Sequence, residues 1–257
     1  MEAAMSGSHL IQRIPTRADF AHDDLRPGRM YELEFLKADE ELLAAVKKCC
    51  EAEKRAAAER VRSFVPSPDA ARNVSPEALD TLLKSGVAPS DSVTDPQITD
   101  YILFHTTSTH ALFLQDIVSL RETLDGLITR RLRELFPRRR ALAPIISGQF
   151  LYPPGSHLAW HTNARVPGWR LYVVHVDDPG RSFFRYRDNP TGEIVTAWDD
   201  VWNIRLVNFD DRDPFWHAVY SDTFRFSFGY RLHAERRRGL LPRLASVVRR
   251  LRLVRTS

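Results

Sequence analysis

Thr223-Phe224-Arg225-Phe226-Ser227-Phe228-Gly229-Tyr230-Arg231-Leu232 alternates between aromatic residues and polar or small ones from Phe224 onward. A side-chain period of two marks a strand, because successive residues point to opposite faces of a sheet. Phe224, Phe226, Phe228 and Tyr230 therefore share one face, and Arg225, Ser227 and Gly229 share the other. The aromatic face calls for an apolar layer packed against it. An arginine turned into a sheet interior is costly without an anion beside it.

Working back from this segment, short apolar or aromatic runs recur between turn residues. They are Ile146–Tyr152, His157–His161, Trp169–Val176, Arg181–Arg187, Glu193–Trp198, Trp202–Phe209 and Trp216–Tyr220. Pro153-Pro154-Gly155-Ser156, Pro179-Gly180, Asn189-Pro190-Thr191-Gly192 and Asp210–Asp213 separate them. With Thr223–Leu232 this makes eight short strands at near-regular spacing, which predicts a β-sandwich or a jelly roll (double-stranded β-helix) over residues 145–232.

The preceding half reads differently. Residues 38–144 are expected to form a helical region packed on one outer face of the sheet, giving an α+β fold. Leu42, Leu43, Val46, Ala56–Ala58 and Val61 recur at helical spacing until Pro66 and Pro68. Ser75-Pro76-Glu77 is a cap followed by proline at the first helical position, and the helix it opens should stop at Gly86. Further helical patterns reach Phe136. Residues 1–37 show little periodicity and are expected to be an irregular arm.

Composition excludes several classes. Hydrophobic residues are 43% and charged residues 27% of 257, ordinary for a globular chain with a buried core. No stretch approaches a membrane span, and the N-terminus shows no apolar secretory run. Adjacent Cys49 and Cys50 rarely meet disulfide geometry and read as reduced, helix-packing thiols in a cytoplasmic protein. The net charge of +4 is uneven: nine arginines and one glutamate after residue 230 give the tail +8, leaving −4 elsewhere. Residues 233–257 are expected to form a basic amphipathic helix. It would dock on the domain with its arginines in solvent; weak contact with an anionic membrane surface is the alternative, and nucleic acid is the least favoured partner.

Iron that activates dioxygen needs protein ligands on one face and open positions on the other, and two histidines with a carboxylate provide that. Tyr152-Pro-Pro-Gly-Ser-His-Leu-Ala-Trp-His161-Thr-Asn163 and His217-Ala-Val-Tyr-Ser-Asp-Thr-Phe-Arg225-Phe-Ser227 stand in the matching order. Together they resemble the two halves of the site in the prolyl-hydroxylase-like branch of the iron(II)/2-oxoglutarate oxygenases. Pro179-Gly180-Arg181-Ser182-Phe183-Phe184 falls where that family has a turn leading to a phenylalanine strand. The resemblance covers roughly residues 146–232. It implies a hydroxylase whose metal is held by His161, Asn163 and His217. It also implies 2-oxoglutarate held by Arg225, Ser227 and Tyr152, and a small-molecule or peptide substrate. Taken singly, His161, His217 and Arg225 read as ordinary strand residues; their order within one strand array carries the functional reading.

Asn163 departs from the family, which has aspartate there. Three readings stay open: a neutral ligand, help from Asp177 or Asp178, or a non-catalytic jelly-roll binding module. Asparagine is as large as aspartate, so the space for a halide that related halogenases create is not expected. A cupin-type metal site on His157, His161 and His217 is a further alternative, and in it Arg225 would be dispensable. Zinc on His157 and His161 is disfavoured, because the Pro-Pro-Gly-Ser turn predicts a strand rather than a helix. Trp160, Trp169, Arg170, Tyr172 and Tyr186 are candidates for a substrate pocket or for core.

Overall fold

The structure is a computed structural model that describes residues 10–20, 25, 29–86, 99–100, 102–103, 115–136, 142–146, 149–164 and 166–234. The basic tail expected to be helical lies outside these residues beyond position 234. Among the described residues, no helix is long and apolar enough to cross a membrane.

The chain starts with β1 (Gln12–Ile14) and β2 (Met30–Leu33), then a 3-10 turn over Glu34–Ala38. Four helices follow: α1 (Glu40–Ala56), α2 (Ala58–Arg62), α3 (Ala70–Asn73) and α4 (Pro76–Ser85). Short strands β3 (Thr99–Asp100) and β4 (Ile102–Leu103) precede α5 (Gln115–Leu135) and β5 (Leu142–Ile146). The remaining strands are β6 (Phe150–Tyr152), β7 (Ser156–His161), β8 (Gly168–Val176), β9 (Ser182–Arg187), β10 (Ile194–Trp198), β11 (Trp202–Phe209), β12 (His217–Ser221) and β13 (Arg225–Ala234).

Local signals explain where the helices start and stop. Asp39 caps α1 by accepting from the Leu42 N–H, and the Ser75 hydroxyl caps α4 through the Ala78 N–H. Gly86 closes α4 at φ 64°, a left-handed conformation that glycine adopts without penalty. The expected helix over 38–65 breaks at Ala57 into α1 and α2.

Two sheets form among the described residues. The larger runs β1-β2-β11-β8-β13-β6-β4, with β5 also on β13; the smaller runs β10-β9-β12-β7-β3. All pairings are antiparallel except β1 with β2. The arm read as irregular thus supplies two strands. Met30, Tyr31 and Leu33 are buried, and β2 extends the larger sheet beside β11. Four residues are too few to reveal a period of two, and β2 gains its order from its partner.

The aromatic face of β13 packs as the sequence predicts. Phe226, Phe228 and Tyr230 join Leu171, Val173, Ile204 and Leu206 against Leu42, Val46, Cys49, Leu124, Ile128 and Leu132 of α1 and α5. Both cysteines are free and buried there, and burial pushes the Cys49 thiol up to about 12, so it stays protonated at neutral pH. The helices do not all lie on one face, however. α4 covers the outside of the smaller sheet, where Leu79 meets Trp160, Phe183 and Ala218. The inner faces enclose Met30, Phe150, Tyr152, Phe184, Val207, Phe209 and Phe215.

The turn before β7 is tightly constrained. Gly155 sits at φ 83°, its N–H donates to Ser221 O at 2.8 Å, and a Cβ there would lie 2.7 Å from Pro66 Cβ. Gly155→Ala therefore combines left-handed strain with a clash against a stiff ring. We expect a loss of about 1–3 kcal/mol in urea unfolding, and an unchanged midpoint would remove this constraint from the account.

Candidate functional site

The site begins with an irregularity in β7. His217 pairs with His161 and Val219 with Leu158, so three residues of β7 span two of β12. Such a bulge reverses the alternation beyond it. Leu158 and His161 consequently both line the space between the sheets, together with His217 and Val219. His157 does not join them; it meets Asn73 Nδ2 at 3.2 Å instead. This removes the three-histidine arrangement.

The two histidine rings lie 4.0 Å apart between centroids, at 50°. His161 Nδ1 is 2.8 Å from Ala159 O, and His217 Nδ1 is 3.0 Å from Phe215 O. A carbonyl only accepts, so in each bond Nδ1 carries the proton and the Nε2 lone pair is left for another partner. Burial, and then the nearby charges of His161 and Arg170, hold the His217 pKa well below its ordinary value, although the Phe215 carbonyl works the other way. His217 is neutral at pH 7. Asn163 Nδ2 lies 3.2 Å from His217 Nε2, and the amide donates to that lone pair.

Adjacent imidazoles anchored through Nδ1 suit a divalent metal, because the bond to the backbone carbonyl fixes tautomer and ring orientation. The donor types fit iron as well as zinc, copper or nickel. The charge fits less well. Among the described residues no group of three His, Cys, Asp or Glu surrounds this point. Asp177 pairs with Lys54, and Asp178 accepts from Thr223 Oγ1 at 2.9 Å. Neither lines the pocket, which sets aside one of the three readings of Asn163, that in which one of them helps.

The other end of the pocket is basic. Arg225, Ser227, Tyr152, Tyr172 and Val174 line it, so the polar face of β13 does turn inward. The anion beside Arg225 is the chain's own Asp199, a contact the sequence reading did not anticipate. Arg225 Nε donates to Asp199 Oδ2 at 2.8 Å, Arg205 Nη1 pairs with Oδ1, and Ser182 Oγ donates to Oδ2 at 2.6 Å. All three charged side chains are at most 2% exposed. Burial alone would raise the Asp199 pKa; Arg225, Arg205 and Ser182 outweigh it and hold the carboxyl below its ordinary value. Two cations share one anion, so the cluster keeps a net positive charge. The terminal nitrogens of Arg225 make no hydrogen bond among the described residues and remain free for a ligand.

Of the aromatic candidates, Tyr172 lines the pocket and Tyr186 lies in the core between the sheets. Trp160 points outward and donates to Ser75 O at 2.7 Å, and Trp169 packs 6.3 Å from Tyr31. Arg170 lines the pocket near His217. Asp199 and Arg205 were missed; the available signal was a lone arginine inside the apolar run Trp202-Asn-Ile-Arg-Leu-Val-Asn-Phe209.

No family model and no curated protein matches the chain. Among solved structures, a Pseudomonas putida prolyl-4-hydroxylase is similar at 14% identity and TM-score 0.31, over 66% of this chain and 89% of that one. A Trichoplax adhaerens prolyl hydroxylase, solved with a hypoxia inducible factor peptide fragment, is similar at 14% identity and TM-score 0.35. That match covers 79% of this chain and 95% of the other. Likenesses this distant carry no argument about the site.

Proposed function

We propose that the chain is an iron(II)- and 2-oxoglutarate-dependent oxygenase built on a jelly-roll core, hydroxylating a small-molecule or peptide substrate. The observation that carries this reading is the pair of adjacent imidazoles, each pinned through Nδ1 to a backbone carbonyl, that line one pocket with Arg225. His161 and His217 would hold the metal, and Asn163 would offer its amide oxygen after turning about its last side-chain bond. Arg225 presents its terminal nitrogens as a fork for the distal carboxylate, while Ser227 and Tyr152 line the same end. Asp199 and Arg205 fix the Arg225 guanidinium in place. Phe150, Leu158, Phe184, Val207 and Val219 keep the pocket apolar between its two polar ends. When bound, the metal and co-substrate supply dioxygen activation, with 2-oxoglutarate going to succinate and carbon dioxide.

A second reading, a non-catalytic binding module, is favoured by one observation: position 163 brings an amide rather than a carboxylate to His217. Anaerobic addition of iron(II) and 2-oxoglutarate separates the two. The oxygenase gives the weak visible charge-transfer band of the chelate, absent in His217→Ala and absent or strongly weakened in Arg225→Ala. Wild-type protein that shows neither band nor iron binding would belong to the second class.

A further inference from the structure

Arg170 is 5% exposed, lines the pocket and makes no ion pair among the described residues. Its Nη2 donates to Val166 O at 3.1 Å, and its guanidinium carbon lies 4.8 Å over the Phe209 ring. Its Nε is buried without a hydrogen-bond partner among the described residues. Arg205 and Arg225 differ in sharing a carboxylate. A buried guanidinium with one carbonyl and one ring for company leaves its charge uncompensated, which is costly unless a ligand brings the anion.

Its place in the sheet says which ligand. Arg225 stands opposite Val176 on β8, and Arg231 stands opposite Arg170. Six residues of extended strand separate the two pocket arginines by roughly 20 Å between Cα atoms. Arg170 reaches back to Val166 O and Phe209, away from the Val176 end where Arg225 stands, so a five-carbon dicarboxylate held at Arg225 does not also satisfy Arg170. Phe209, stacked under Arg170, is 5.1 Å from the His217 ring between centroids. Arg170 therefore stands at the histidine end, where a substrate must sit to meet the metal.

We propose that Arg170 anchors an anionic group of the substrate itself, a carboxylate or a phosphate, received on the side-on fork formed by Nε and Nη2. This rests on the oxygenase reading for the word substrate, and on the geometry alone for the anion. The planar fork suits two oxygens of one oxyanion, and the charge-assisted pair is stronger than a neutral one. Hydroxylation would then fall on a carbon a short reach from the substrate's acidic group.

Arginine side-chain NMR spectra of the metal-free protein test the anchor directly. The Arg170 Nε–H resonance is identified by its disappearance in Arg170→Lys, with Arg170→Met as the charge-free variant. Inorganic phosphate and acetate are titrated in separate arms, with chloride as the ionic-strength control. We expect a saturable shift of that resonance with phosphate, acetate or both, the stronger arm naming the oxyanion. Calorimetry should show affinity for that anion falling about tenfold or more in Arg170→Met. A resonance that stays still, or moves equally with chloride, overturns the anchor. Titration with 2-oxoglutarate in the same spectra reads Arg225 independently. An Arg170 response without an Arg225 response keeps the anion site and overturns the oxygenase reading. The reverse pattern overturns the Arg170 assignment alone.

Discussion

Asp199→Asn should lower the free energy of unfolding by about 3–5 kcal/mol, because it removes the one carboxylate bonded to both buried cations. The carboxylate is fully buried and touches Arg225, Arg205 and Ser182 at once. An amide keeps one acceptor oxygen and loses the charge, so the repulsion between the two guanidiniums is left unopposed. Removing one cation should relieve it. Arg205→Met in the Asp199→Asn background is expected to cost less than the two single changes added together, by at least about 1 kcal/mol. Urea unfolding of the four proteins measures this coupling, and strict additivity would mean that the cluster is not an electrostatic unit. The acid limb gives a second reading. Folding depresses the Asp199 pKa below its ordinary value of 3.8. Its stabilisation is therefore complete above that value and lost as pH falls through the lower, folded pKa. The gap between wild type and Asp199→Asn should be constant at neutral pH and narrow only below about pH 4.

This cluster also marks the limit of what the sequence reveals. Periodicity is local, and it located β8, β9, β11, β12 and β13 to within a residue or two, because each carries enough alternation or enough bounding turn residues. Ser75-Pro76 and Gly86 marked α4 for the same reason: caps are read within four residues. Pairing is not local. Asp199 follows β10, Arg205 lies within β11 and Arg225 starts β13, and only the order of strands in two sheets brings them together. The sequence rightly required an anion beside Arg225, but supplied no means of seeing that part of it comes from residue 199. The bulge that separates His157 from His161 is hidden likewise, since a register is a relation between two strands. β1 to β4 have two to four residues each and borrow their order from β11, β7 and β6. That His161, Asn163 and His217 line one pocket follows from an order near strand ends that survives without knowledge of the register.

Asn163→Asp should tighten iron(II) binding by about tenfold or more, at least about 1.4 kcal/mol, and this is the sharpest test of what position 163 does. The side chain is 9% exposed and its amide already reaches His217 Nε2 at 3.2 Å, so a carboxylate of the same shape would stand beside the same lone pair. At an effective dielectric near 20, two unit charges about 4 Å apart attract by about 4 kcal/mol, and the metal carries two. Dehydrating the carboxylate opposes this, but the pocket offsets part of that cost. Arg170, Arg205 and Arg225 line it, and Asp199 pairs with only the last two. A new anion therefore enters a region already short of negative charge. Competition with a coloured chelator under anaerobic conditions measures the change, and the Asn163→Ala protein supplies the lower bound. If aspartate tightens binding and alanine weakens it, residue 163 is a ligand and the wild-type amide is a weakened version of it. If all three proteins bind iron(II) alike, residue 163 does not face the metal, and the hydrogen bond to His217 is its whole role. If none binds, the two imidazoles alone do not make a metal centre, and the basic pocket between the sheets is better understood as an anion-binding module.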